Sequence, residues 1–193
     1  MKKQNPAVVY GLIGAAILIV FGLLMQMYMT STMQKAVDSG ESFNFLKFVG
    51  VGIVSFLIIA GVYIFCIIKS IKDYRKINPD YTYGKLVGYG LFATLVLAVV
   101  STAFTLLYSQ VIDPGATKKS VALVEKLIEN SDMPDDQREK ALEGARKQNQ
   151  DPVRQTLTSL AITLICGLIV SLIAGAVLNK RGKEFPPNPN NLS

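Results

Sequence analysis

AVVYGLIGAAILIVFGLLMQMYM, at residues 7–29, is an unbroken run of 23 residues without a charged side chain. Three further runs share this property, at residues 48–68, 86–108 and 156–178, and a short polar loop, Thr30–Asn44, is expected between the first two runs. A helix rises about 1.5 Å per residue, so even the shortest run spans roughly 30 Å, the hydrocarbon thickness of a bilayer. The sequence therefore predicts an all-α fold, a bundle of four transmembrane helices.

A single long polar segment, Gln110–Pro152, connects the third run to the fourth. Its first half has apolar residues at the three-and-four spacing of an amphipathic helix: Val121, Val124, Leu127 and Ile128. A second helix is predicted to begin at Pro134, with acidic residues in its first turn. This helix has a thinner apolar face, formed by Ala141, Leu142 and Ala145. We predict an extracytoplasmic helical hairpin over about residues 116–149, between the third and fourth spans.

The distribution of charge predicts how the spans are oriented. The chain has a formal net charge of +6. Three segments, Met1–Pro6, Lys69–Lys85 and Asn179–Ser193, together carry ten basic residues and three acids. Residues 110–154 carry eight basic residues, but nine acids offset them. The positive-inside rule places both termini in the cytoplasm, and this explains the basic balance without a nucleic-acid partner.

One membrane domain is predicted to occupy residues 1–193, because the remaining segments are too short for a separate soluble domain. The first run is longer than the h-region of about 7–15 residues in a signal peptide, and no small-x-small cleavage site follows it. We therefore expect a retained anchor; cleavage, the alternative, would leave three spans. Residues 184–193, rich in Pro and Asn, are predicted to form a disordered tail.

Small residues recur every four positions along the fourth run: Ser159, Thr163, Gly167, Ser171 and Gly175. Shorter versions occur at Gly11 with Ala15 and at Gly84 with Gly88. Helices associate in lipid by close approach, and such stripes are typical of the contacting faces. The stripe predicts packing within the protein's own bundle, or alternatively a face for self-association or for a partner.

The sequence contains no recognisable constellation for catalysis. It has no His and only two cysteines, Cys66 and Cys166, which predicts no zinc, haem or iron–sulfur site and no Ser–His or Cys–His pairing. It has no phosphate-binding glycine motif. We therefore expect a non-enzymatic protein with no catalytic, cofactor-binding or metal-binding residues and no cofactor.

A few polar residues within or beside the spans are weighed individually. Gln26 is expected to make a cap or an interhelical hydrogen bond. The hydroxyls of the third run could line a polar path, or bond back to their own helix: Thr94, Ser101, Thr102 and Thr105. Asp113 is expected to end the third helix beside Pro114, and only Asp151 could join it in binding a ligand.

The basic loop after the second span also contains tyrosines. Arg75, Lys76, Tyr81 and Tyr83 could bind anionic lipid headgroups or a cytoplasmic partner. The alternative is ordinary anchoring at the interface by basic and aromatic residues, which we favour.

The order of these features resembles a bacterial family known as domain of unknown function 4199. The matching positions are Lys2, Lys3, Asn5, Pro6, Tyr74, Arg75, Ile112, Asp113, Pro114, Lys180, Arg181 and Lys183. The resemblance covers nearly the whole chain and rests on order and spacing. It implies a multi-pass protein of the bacterial inner membrane and transfers no activity.

Three hypotheses for function follow from the sequence. The first is an accessory or scaffolding subunit that acts through helix packing and its hairpin, with membrane lipids and a membrane-protein partner or a second copy as its contacts. The second is a small oligomeric channel or transporter, supported by the hydroxyls of the third span. The third is a lipid-binding partner of enzymes that make envelope lipids or glycans.

Overall fold

The computed structural model describes residues 5–39, 45–130, 134–150 and 152–184. Its elements are α1 (Pro6–Ser39), α2 (Phe45–Ile77), α3 (Tyr83–Leu107), a π turn (Tyr108–Ile112), α4 (Ala116–Glu129), α5 (Asp135–Gln150) and α6 (Pro152–Glu184). Within these ranges four segments are long and apolar enough to cross a membrane: Pro6–Ser39, Val49–Ile77, Tyr83–Ile112 and Thr156–Asn179. The predicted all-helical fold with four candidate spans is confirmed.

Side chains satisfy free backbone groups at three helix ends. Asn5 caps α1, since its Oδ1 accepts a 3.0 Å hydrogen bond from the Ala7 amide, and Pro6 occupies the first helical position. Thr82 precedes α3, and its hydroxyl accepts a 3.4 Å hydrogen bond from the Lys85 amide. Asn78 follows α2 and donates to the Tyr74 carbonyl from both its amide groups, at 3.0 and 3.3 Å.

Two features of the backbone differ from the sequence-based expectations. Residues 30–39, expected to begin a polar loop, continue α1 without a break. No Pro or Gly interrupts that stretch, so the helix extends beyond the apolar run. The third span closes with a π turn rather than an α-helical one, because the Asp113 amide donates to the Tyr108 carbonyl five residues earlier, at 2.8 Å.

By packing, the chain divides into two units. The first unit comprises residues 1–17, 59–100 and 160–193, and the second comprises residues 18–58 and 101–159. The chain passes from one unit to the other at four points, each inside a continuous helix, and the single domain over residues 1–193 stays a prediction.

In the first unit, small residues let the helices approach closely. A Cβ on Gly11 of α1 would lie 2.8 Å from the Val96 Cβ of α3. On α6, a Cβ on Gly167 would collide with the Thr94 side chain, and one on Gly175 would lie 3.0 Å from Val87 Cγ2. Gly90 of α3 receives Ser171 of α6 in the same way, with the Ser171 Oγ 2.6 Å from its Cβ position. These three α6 residues of the stripe therefore pack within the protein's own fold.

Not every residue in these small-residue stripes packs closely against a neighbouring helix. Ser159 is exposed and Thr163 is half-buried, while Gly84 and Gly88 face open space. Packing within the bundle is thus confirmed for Gly167, Ser171 and Gly175, together with Gly11 and Ala15 of α1.

The buried centre of the first unit is a small apolar cluster. It is formed by Ile67, Ile71, Leu86, Ala174 and Leu178, flanked by half-buried Tyr74 and Tyr81. The spans otherwise present large apolar side chains on their outer surface, such as Phe56 at 69% exposure and Ile173 at 61%. Such apolar surface suits a lipid environment.

In the second unit, α4 and α5 pair as the expected hairpin. Arg146 Nε donates a 2.8 Å hydrogen bond to Glu125 Oε1, which links the two helices. Among the α4 side chains that the structure describes, Leu123 and Leu127 are buried; Leu127 belongs to the apolar set expected from spacing, and Leu123 does not. On α5, the thin face of Ala141, Leu142 and Ala145 is half-buried, as predicted.

Several sequence predictions lie outside the described residues. These are Asp151 as a companion to Asp113, the tail from residue 185 onward and the basic residues 2 and 3. The backbone of α6 continues through Lys180, Arg181 and Lys183, and their side chains are not part of the description.

Candidate functional site: a groove on α1 and α3

The second unit contains a groove formed by α1 and the end of the third span. Its deep part is a cavity of about 260 Å³. Apolar side chains line most of this part: Leu18, Ile19, Leu23 and Phe104. Gly22 leaves the α1 wall open here, since a Cβ at Gly22 would meet nothing within 4 Å. The deep part is therefore an apolar slot at the depth of the candidate spans.

A second cavity of about 410 Å³ shares Gln26 and Tyr108 with the first and forms the mouth of the groove. Polar and charged residues that the deep part lacks contribute to its lining: Thr30, Ser31, Gln34, Asp113 and Lys119. The two cavities together give a lining that changes from apolar to polar along α1. This gradient matches an amphiphilic molecule better than a wholly polar or wholly apolar one.

The π turn shapes the wall between the two cavities. Tyr108 begins this turn, lines both cavities and stacks on Phe104 with ring centroids 6.2 Å apart. A π turn widens the helix by one residue, and such turns are frequent at functional sites. The turn ends at Asp113, whose carboxylate lies in the mouth.

Two polar groups in the groove make no hydrogen bond within the described part of the chain. The Ser101 Oγ is buried without a partner. The Gln26 amide, expected to bond to another helix, is found lining both cavities instead. Polar groups at membrane depth normally have partners, because an unsatisfied group there costs free energy.

Two opposite charges flank Gly115 at the mouth. A Cβ on Gly115 would lie 3.5 Å from Asp113 Oδ1 and 3.8 Å from Lys119 Cε. Among the ion pairs of the described residues, Asp113 and Lys119 do not form one with each other. The mouth thus offers a carboxylate and an ammonium side by side, each available to a ligand.

The basic and aromatic residues after the second span are engaged within the first unit. The Arg75 guanidinium lies 4.9 Å from the Tyr81 ring centroid, and Lys76 pairs with Asp73 at 2.9 Å. Tyr83 donates a 3.2 Å hydrogen bond to the Leu172 carbonyl. These contacts favour an anchoring role over a free headgroup-binding patch.

The hydroxyls of the third span bond mainly to their own helix. Thr94 donates to the Gly90 carbonyl at 3.1 Å, and Thr105 donates to the Ser101 carbonyl at 2.9 Å. Bonds of this kind satisfy a hydroxyl in an apolar environment without a polar path.

Across the described residues, no group of three or more His, Cys, Asp or Glu is placed to hold a metal ion. Cys66 is buried against Gly14 of α1, and Cys166 is exposed on a candidate span. Both occupy positions suited to small apolar side chains.

The fold is thus that of a helical protein with four candidate membrane spans. The family of proteins of unknown function DUF4199 matches residues 9–180. The chain belongs to this family, as the order of its motifs indicated. No curated protein and no solved structure matches it.

Proposed function

We propose that this is a multi-pass protein of the bacterial inner membrane, with both termini cytoplasmic, that acts without catalysis as an accessory or scaffolding subunit. The observation that carries the proposal is the polar surface of the α4–α5 hairpin. Outside the thin half-buried face of α5, the helix exposes charged and amide side chains, including Asp136, Gln137, Glu139 and Lys140.

The charge of the hairpin supports a protein partner. Residues 116–150 contain seven basic and seven acidic side chains, so the hairpin is neutral overall. A neutral surface with both signs interspersed has no net attraction to nucleic acid or to an anionic membrane surface. It can give specificity for a protein surface with complementary charges.

Packing within the bundle limits the surfaces that such a partner can contact. Gly167, Ser171 and Gly175 are occupied by α3, so most of the small-residue stripe is not free for a second helix. The hairpin presents a polar and exposed surface of its own. For the channel hypothesis, the back-bonded hydroxyls of Thr94 and Thr105 offer no support.

Photocrosslinking in native membranes tests the proposal. A photoreactive residue replaces Gln137 or Lys140 on α5, and the control carries it at Phe56, which is 69% exposed on a candidate span. We expect one discrete protein adduct from the α5 positions and lipid adducts from position 56. The adduct should weaken when Asp136 and Glu139 become Asn and Gln. Adducts to lipid alone from both α5 positions would refute the proposal.

A further inference from the structure

We propose that the groove on α1 and α3 binds one acyl chain of a zwitterionic phospholipid, whose ammonium and phosphate groups are held at the mouth. The proposed site lies in the second unit and is separate from the exposed face of α5. It therefore stands or falls independently of a partner for the hairpin.

The deep part of the groove fits a hydrocarbon chain. Leu18, Ile19, Leu23 and Phe104 provide apolar walls around a volume of about 260 Å³. The cavity lies beside the uncharged run that ends at residue 29, so it opens at a depth where acyl chains are available. An apolar ligand is favoured there because most of the lining surface is apolar.

The boundary between the two cavities offers hydrogen bonds at the depth of an ester. Gln26 lies about one helical turn before the end of the uncharged run. Its amide lines both cavities, whereas the buried and unpaired Ser101 Oγ lines only the deep one. A glycerol ester at the boundary would accept a hydrogen bond from the Gln26 amide, which removes the cost of leaving that amide unpaired.

The two charged residues at the mouth favour one type of lipid headgroup. Lys119 offers an ammonium to a phosphate, and Asp113 offers a carboxylate to a headgroup ammonium, on either side of Gly115. Charge-assisted hydrogen bonds of both kinds are stronger than neutral ones. An anionic phospholipid would satisfy Lys119 alone and would be repelled by Asp113. The pair therefore favours a phosphoethanolamine headgroup.

The test uses the full-length protein, delipidated in detergent and offered equal amounts of dioleoyl phosphatidylethanolamine and dioleoyl phosphatidylglycerol. Native mass spectrometry counts the bound lipids. Gly22→Leu fills the deep part of the groove, where the Cβ position is open. Gly52→Leu on α2 is the matched control, because Gly52 also faces open space but does not line the groove. Asp113→Asn and Lys119→Gln probe the mouth.

We expect one tightly held phosphatidylethanolamine on the wild type and on Gly52→Leu. Gly22→Leu should retain about fivefold less, because its side chain takes the space of the acyl chain; a fivefold loss is comparable with the loss of one hydrogen bond. Asp113→Asn should reduce the preference for phosphatidylethanolamine over phosphatidylglycerol by about fivefold, and Lys119→Gln should weaken both lipids.

A second measurement locates the chain. Phosphatidylethanolamine with a photoreactive group in its acyl tail should label peptides from residues 18–26 and 101–108 in the wild type, and this labelling should fall in Gly22→Leu. Equal retention by Gly22→Leu and Gly52→Leu would overturn the site. Equal binding of the two lipids to the wild type would overturn the assignment of the headgroup.

Discussion

The Tyr10 hydroxyl donates a 2.5 Å hydrogen bond to Asp73 Oδ2, which joins two residues 63 positions apart in the chain. Asp73 is also paired with Lys76 through its other oxygen, at 2.9 Å. The start of α1 is thereby linked to the last turns of α2 within the first unit. A hydrogen bond to a carboxylate is among the stronger single contacts in a protein.

Tyr10→Phe removes this hydrogen bond and keeps the ring. We expect the free energy of unfolding to fall by about 1 kcal/mol, since the carboxylate is partly exposed and solvent replaces some of the loss. Thermal unfolding in detergent measures the effect. Tyr28→Phe is the control, because Tyr28 is 53% exposed and its hydroxyl makes no hydrogen bond to another residue that the structure describes. An equal loss in the two variants would contradict the role of the Asp73 contact.

Gly167→Ala should destabilise the first unit. The added methyl group collides with Thr94 of α3, and overpacking of this kind costs about 1–3 kcal/mol. Thr94→Ala, which shortens the opposing side chain, should restore part of the loss in the double variant. Gly61→Ala is the matched control on α2, where the Cβ position is open, and it should leave the melting temperature unchanged or raised.

Failure of Thr94→Ala to rescue Gly167→Ala would show that the methyl group is accommodated without this contact. The unfolding free energies of the two single variants and the double variant form a thermodynamic cycle, which isolates the pairwise term.

The proposed orientation predicts which engineered cysteines are accessible from outside. In a Cys166→Ser background, Gln137→Cys on α5 should react with a membrane-impermeant maleimide in intact cells whose outer membrane has been opened. Lys72→Cys on α2 should react only after the inner membrane is permeabilised. Both residues are exposed, so the membrane alone decides their reactivity. Reversed labelling would place the hairpin in the cytoplasm.

The ion pair between Arg146 and Glu125 should hold the hairpin locally rather than stabilise the whole fold. The Glu125 carboxylate raises the pKa of Arg146, first by their hydrogen bond and then by charge attraction. The Arg146 side chain is exposed and Glu125 is half-buried, so salt can screen the pair. Arg146→Gln should speed amide hydrogen exchange in α5, and added salt should have the same effect on the wild type. The melting temperature should be unchanged; a lower value would show that the pair supports more than the hairpin.

The spans could be predicted from the sequence because each is an apolar run whose length alone distinguishes it. The packing face of α6 could also be predicted, because the four-residue spacing places the small residues Gly167, Ser171 and Gly175 on one side of the helix. The sequence-based prediction ends the first helix at residue 29, where the apolar run ends. The helix continues through residues 30–39 because that polar stretch contains no helix-breaking residue.

The groove could not be predicted from the sequence. It depends on Gly22 and Tyr108 lining one cavity although 86 positions separate them in the chain. The sequence predicts a structural hydrogen bond for Gln26 and a helix end for Asp113. Nothing in local spacing indicates that both line the same mouth, or that Lys119 lies with them.

The position of the Asp113 carboxylate also depends on the number of residues in the π turn at Tyr108–Ile112. Its ring contains one residue more than an α-helical ring, and an α-helix rotates about 100° per residue. Loss of a single residue here, with return to an α-helix, would turn Asp113 about that far around the axis while the apolar length of the span hardly changed. Among related chains, a one-residue gap at this turn would therefore mark a groove without its carboxylate, whatever residues surround it.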